Sequence, residues 1–147
     1  MEVQIIMGME LTRDPSSRGL TEEDIVHIPG MASRWVRLAN GAKAHYMVSG
    51  DTGPAIILLH GGIVGSSGTA GWRFMAPFLG MHGFRVYCPD RPGFGWADPR
   101  AQHRPMWGYK SQVDFIHMLA NALCLDKFHL AGNSMGGQIT VQYVIHH

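Results

Sequence analysis

Phe128-His129-Leu130-Ala131-Gly132-Asn133-Ser134-Met135-Gly136-Gly137 is the stretch on which the reading of this sequence turns. Lys127 to Ala131 has the apolar, β-prone character of a strand, and Gln138 to His147 places apolar residues, Ile139 and Tyr143 among them, at helical spacing. Between the two lies Gly-x-Ser-x-Gly, in the strand-to-helix context that gives this motif its meaning. A serine there must stand at the apex of a sharp turn, so that its hydroxyl projects from the sheet. The residues two before and two after it approach too closely to carry large side chains, and Gly132 and Gly136 satisfy that demand. The following helix points its free N–H groups at the same place, which favours negative charge and positions the Met135 N–H to bind an oxyanion. Ser134 is the candidate nucleophile.

Upstream, the hydrophobic period identifies the rest of the sheet. Ser33 to Ala39 and Ala42 to Ser49 alternate as strands, with Asn40-Gly41 as a two-residue hairpin connection. Ala55 to Leu59 is apolar without alternation, as in a parallel strand covered on both faces, and it runs into His60-Gly61-Gly62. There a glycine N–H, assigned to Gly62, can supply a second oxyanion donor, while His60 reads as structural. A helix is expected over part of Trp72 to His82, with Pro77 starting its regular portion or kinking it. Phe84 to Cys88 is the next strand, and Pro89 to Gly95 a loop. Ser111 to Asp114 has capping-box spacing, and Val113, Ile116, Leu119, Ala120 and Leu123 follow at helical intervals. Strand and helix therefore alternate, which specifies an α/β fold: an N-terminal β-hairpin, then parallel strands with helices on both faces. Residues 1–30 are expected to be an N-terminal extension, partly mobile, with at most one helical turn at Thr21 to Asp24, and 31–147 the domain.

Composition narrows the function. A net charge of +1 with scattered Lys and Arg offers no footprint for nucleic acid. No apolar run approaches the roughly 18 residues of a membrane span, and the N-terminus lacks a signal-peptide pattern, so a soluble, cytoplasmic protein is expected. Cys88 and Cys124 sit in apolar runs and read as buried, reduced thiols. The nine histidines show no metal-ligand spacing, and neither metal nor cofactor is expected.

Three motifs in order, His60-Gly61-Gly62, Asp90-Arg91-Pro92-Gly93-Phe94-Gly95 and the Ser134 turn, resemble the N-terminal half of the α/β-hydrolase superfamily over about residues 31–147. Gly132 to Gly137 is similar to the meta-cleavage-product hydrolases, which split carbon–carbon bonds in vinylogous diketones from aromatic-ring degradation. The resemblance implies a small carbonyl substrate, the Gly62 and Met135 amides as oxyanion hole, and Asn133 and Gly61 as substrate-site residues. Related esterases, lactonases and cofactor-free haloperoxidases have similar turns. Dehalogenases and epoxide hydrolases carry Asp in place of the serine.

In that superfamily an acid and then a histidine follow the serine. Residues 135–147 contain no acid, and His146 and His147 lie ~18 Å from the turn at ~1.5 Å rise per residue. His27, His45, His82, His103, His117 and His129 show no sign of converging on Ser134 and read as surface or structural residues. The chain is thus expected to be a truncated hydrolase domain, with little activity alone and an unprotected Phe128 to Ala131 edge open to self-association. The alternative is a non-catalytic remnant or binding module that keeps the fold.

Overall fold

The computed structural model describes residues 27–103 and 108–147. The expectations for residues 1–26, including the turn at Thr21 to Asp24, lie outside the described residues. Among the described residues, five strands and four α-helices follow in the order β1 (Ala32–Arg37), β2 (Lys43–Ser49), β3 (Ala55–Leu59), α1 (Gly68–Trp72), α2 (Met75–Met81), β4 (Arg85–Pro89), α3 (Lys110–Ala122), β5 (Phe128–Gly132) and α4 (Met135–His146). A short 3-10 turn, Ala101–His103, precedes α3.

One sheet contains all five strands, ordered β1-β2-β4-β3-β5. β1 pairs antiparallel with β2 and β2 with β4, whereas β3 runs parallel to both β4 and β5. The step from β3 to β4 goes one way along the sheet, and the step from β4 to β5 returns past β3. Right-handed crossovers in opposite directions put their helices on opposite faces. That is where they lie: α1 and α2 cover one face, α3 and α4 the other. The apolar run of β3 follows from this, because Ala55, Ile57 and Leu59 pack toward α3 and α4, while Leu58 packs with Ala76, Val86 and Cys88 on the far face. β5 stands at the margin of the sheet, paired among the described residues only with β3.

Local chemistry departs from expectation at several points. The hairpin is closed not by a two-residue turn but by Leu38 N–H donating to the Ala42 carbonyl, which leaves Ala39, Asn40 and Gly41 as a three-residue loop. Only Gly41 has a positive φ (83°) there, so the loop is a type I turn ending in a left-handed glycine; the paired positive angles of a two-residue turn are absent. The helix expected over part of Trp72 to His82 forms as α2, preceded by the separate short α1. Pro77 has no N–H to donate back to the Arg73 carbonyl, and it sits in the first turn of α2, where none is needed.

The capping box at Ser111 does not form. α3 starts earlier, with Tyr109 as its N-cap and no side-chain cap, and Asp114 pairs with Lys110 at 2.7 Å on the exposed face of its first turns. The Ser111 hydroxyl is left buried without a partner. Helix α4 begins at Met135, three residues before its expected start. Cys88 is buried as expected, but Cys124 is exposed, at a positive φ of 54° just past the end of α3.

Ile57 is wholly buried between the sheet and α3 and α4. Ile57→Ala is expected to cost about 2–5 kcal/mol, read as a lower denaturant midpoint at unchanged slope.

Candidate active site

The carboxyl ends of β3 and β5 meet where the strand order reverses, the position at which open α/β sheets place their ligands. Backbone hydrogen bonds fix this meeting. Asn133 N–H donates to the Leu59 carbonyl at 3.0 Å, and Gly136 N–H closes the turn onto the Asn133 carbonyl at 2.8 Å. Between them Ser134 holds φ 52° and ψ −121°, a conformation that side-chain-bearing residues rarely adopt. Such strain costs on the order of 1–3 kcal/mol and persists only where the surroundings impose it. Here the imposing contacts are backbone on backbone: a Cβ built on Gly136 would strike the Leu59 carbonyl, and one on Gly132 would strike Gly136. Ser134 stands at the N-cap of α4, yet its side chain makes no capping bond. Its exposed hydroxyl is therefore not engaged by the helix.

Gly61 and Gly62 lie across from this serine. A Cβ on Gly61 would be 3.6 Å from Ser134 Cβ and 3.3 Å from Asn133 Oδ1, and one on Gly62 would be 2.8 Å from Met135 Sδ. Of the site residues expected from sequence, Gly61, Asn133 and Ser134 are thus mutual neighbours, and Gly62 lies against Met135. Neither the Gly62 nor the Met135 N–H meets an acceptor among the described residues. A cleft of about 390 Å³ opens over the group, lined by Gly61, Gly62, Asn133, Ser134 and Trp72 among others. Ile63 and Val64 project from its rim, 78% and 102% exposed, and a broader hollow of about 820 Å³ begins at Gly62 and Val64.

Beneath the cleft lies a buried polar layer. His60 is 1% exposed. Its Nδ1 bonds the Gly61 carbonyl at 2.7 Å and its Nε2 meets the Arg91 N–H at 3.2 Å. A carbonyl can only accept and a backbone N–H only donate, so the proton is on Nδ1. Burial, and then the Arg91 charge, push the His60 pKa from its ordinary 6.5 down to about 4, against the opposing pull of the Gly61 bond and Asp90. This ring is neutral at pH 7 and has both nitrogens occupied. It is a structural residue here, as the sequence indicated, and no base for Ser134.

Asp90 gathers the neighbouring segments. Its Oδ1 accepts Gly68 N–H at 2.6 Å, and its Oδ2 accepts Trp96 N–H and His45 Nδ1, each at 2.8 Å. Both Asp90 and His45 are fully buried, and His45 Nε2 in turn lies 3.1 Å from Ser33 Oγ. Arg91, also fully buried, donates to the Gly61 carbonyl and to Gln112 Oε1, at 2.6 and 3.3 Å, with its guanidinium over the Phe94 ring. Sequence reading noted Asp90 and Arg91 only as parts of a loop motif. Pairing to His45 and Gln112 depends on contacts far apart in the chain, and no local pattern announces it. The remaining histidines stay clear of the serine where their contacts are defined: His147 stacks on His117 and Tyr143, and His82 bonds the Phe78 carbonyl.

Residues 54–147 match the family model described as the alpha/beta hydrolase fold, and the chain belongs to that family. Among curated relatives, the 2-hydroxy-6-oxo-2,4-heptadienoate hydrolase of Pseudomonas putida (strain F1) is 34% identical over 108 residues, covering 74% of this chain and 38% of the relative. Among solved structures, a meta-cleavage product hydrolase from Pseudomonas fluorescens is 32% identical with a TM-score of 0.71, covering 78% of this chain and 40% of that one. A bacterial membrane phospholipase A is 28% identical with a TM-score of 0.70, over 80% of this chain and 36% of that one. The chain thus spans about two fifths of the length of these proteins. Among the described residues no helix is long and apolar enough to cross a membrane.

The His60 shift has a consequence for stability. Below pH 6.5 the unfolded chain takes up a proton at this ring that the folded state, with its pKa near 4, does not. Stability is therefore full above pH 6.5 and falls as pH drops toward 4, by up to about 3 kcal/mol. Denaturant titrations at pH 7 and pH 4.5 should show this loss, and His60→Asn should reduce it.

Proposed function

We propose that this chain carries the nucleophile and oxyanion donors of a serine-dependent hydrolase. Ser134 Oγ attacks a carbonyl carbon, its proton passes to a base, and the carbonyl electron pair moves onto oxygen, where the Gly62 and Met135 N–H groups receive it. The observation that carries this reading is the Ser134 backbone, held at φ 52° with its hydroxyl free of the helix cap. Core packing imposes that strain, and its result, a hydroxyl projecting over a helix N-terminus, is what a nucleophile requires.

Among the described residues no histidine or carboxylate hydrogen-bonds the Ser134 hydroxyl. We infer that the acid and base come from polypeptide outside residues 1–147, in keeping with the greater length of the relatives, and that this chain alone has little activity. The substrate is a small carbonyl compound undergoing carbon–carbon or ester hydrolysis. The names of the relatives, 2-hydroxy-6-oxo-dienoate hydrolases, favour meta-cleavage products of aromatic catabolism, with Asn133 and Gly61 as substrate contacts. The exposed apolar rim at Ile63 and Val64 suits such a molecule. This reading calls on no cofactor. Two free cysteines favour a cytoplasmic setting, and the margin of β5 is the route for any self-association.

The second reading, a non-catalytic module, rests on the missing base. A fluorophosphonate probe separates the two. The full-length protein is expected to be labelled at Ser134, and Ser134→Ala to lower turnover of a meta-cleavage product or activated ester by about 10³-fold or more. An unlabelled protein, or full turnover by the alanine variant, would leave only the module.

A further inference from the structure

The Gly61 carbonyl and the Gly62 N–H belong to one peptide unit. That unit is planar and trans, so its oxygen and its N–H point in opposite directions, and whatever holds the oxygen aims the hydrogen. Two buried side chains hold the oxygen: Arg91 Nη2 donates to it at 2.6 Å and His60 Nδ1 at 2.7 Å. Both are buried, and His60 lines the same cleft as Gly61, Gly62 and Ser134. Resting on the proposed role of Gly62 as oxyanion donor, we propose that Arg91 and His60 are positioning residues that clamp the Gly61 carbonyl and so hold the Gly62 N–H toward the oxygen of the substrate.

The state of Arg91 supports this assignment. The side chain is fully buried, and no carboxylate lies within ion-pair distance of it among the described residues. Asp90, its chain neighbour, is occupied by His45, Gly68 and Trp96. The Arg91 Nε is buried with no partner among the described residues. Burying a cation without a counter-ion and with an orphan donor is costly, and a fold that needed only a staple has cheaper ones. Burial lowers the Arg91 pKa only to about 10, so the charge remains at neutral pH. A guanidinium on the carbonyl oxygen draws electron density through the peptide and makes the N–H at its other end a stronger donor. Gln112 steadies the arrangement, accepting from Arg91 Nη1 and donating through its Nε2 to the Pro92 carbonyl at 3.2 Å. Phe94 fills the space between, its ring under the guanidinium at 4.8 Å and edge-on to His60 at 5.1 Å.

The test uses the full-length protein, an activated ester as substrate and an alkylboronic acid as the tetrahedral, oxyanion-bearing mimic. Loss of an oxyanion donor costs about 10²–10³ in kcat, and misaiming one should cost about 10–100-fold. Arg91→Met is expected to lower kcat by that factor with KM little changed, to weaken boronate binding in parallel, and to shift the Gly62 amide resonance in a ¹⁵N–¹H spectrum. Arg91→Lys, which can still donate to the carbonyl, should recover part of the loss. His60→Asn puts an amide donor where Nδ1 stood and should exceed His60→Gln in kcat, since the glutamine amide reaches the Nε2 position instead. If Arg91→Met does not fold, Gln112→Met, which frees the guanidinium, is read in the same three ways. Ser134→Ala without turnover, together with kcat, boronate affinity and the Gly62 amide all within about two-fold or unshifted in the Arg91 and Gln112 variants, overturns the clamp alone. Full turnover by Ser134→Ala overturns the serine mechanism and with it the catalytic meaning of the clamp.

Discussion

The Leu59 carbonyl, at the end of the central parallel strand, has two neighbours that shape everything around it. It accepts the Asn133 N–H at 3.0 Å, and Gly136 lies so near that no Cβ fits between the helix and the strand end. Helix α4 can approach β3 this closely only by leaving β5 through an abrupt reversal, and that reversal is the φ 52° conformation of Ser134. Packing of α4 on the sheet, with Ile139 fully buried, supplies the stabilisation that offsets the local strain. The exposed serine is thus a product of core packing. Its geometry is fixed by contacts beneath it and needs nothing from the cleft above.

A second layer of organisation runs through buried polar groups. Asp90 is the point where β2, the loop after β4 and the start of α1 are tied together, through His45, Trp96 and Gly68. A fully buried carboxylate is tolerable because its oxygens accept three hydrogen bonds. Arg91, one residue on, points the other way and meets His60 and Gly61 under the site. The two adjacent charges serve different elements: the acid assembles the scaffold, and the base reaches the loop that faces Ser134. His60 keeps a single tautomer and is neutral at pH 7, so its bonds to the Gly61 carbonyl and the Arg91 N–H are lost only in acid.

Much of this was legible in the sequence. The alternation of strands and helices, the two-sided burial of Ala55 to Leu59, and the serine turn between Gly132 and Gly136 each follow from a local pattern with a local cause. Errors fell where local cues compete. Asn40-Gly41 fits a two-residue turn, but the strands close at Leu38 and Ala42 around a three-residue loop in which only Gly41 is left-handed. Ser111 has the spacing of a cap, but α3 starts earlier, with Tyr109 as its N-cap.

Sequence alone determined the α/β class, the order of its elements and Ser134, Gly62 and Met135 as a candidate site, because steric and periodic constraints act between residues close in the chain; Asn133 and Gly61 entered through the family resemblance of the motif. Only the tertiary structure decided which faces the helices cover, that the serine strain is imposed from the Leu59 carbonyl, and that His60, Arg91 and Gln112 converge on the Gly61 peptide. Apart from the His60–Gly61 bond between chain neighbours, those contacts join residues about 20 to 80 positions apart, and sheet closure and burial bring them together, where polar atoms left unpaired would be costly.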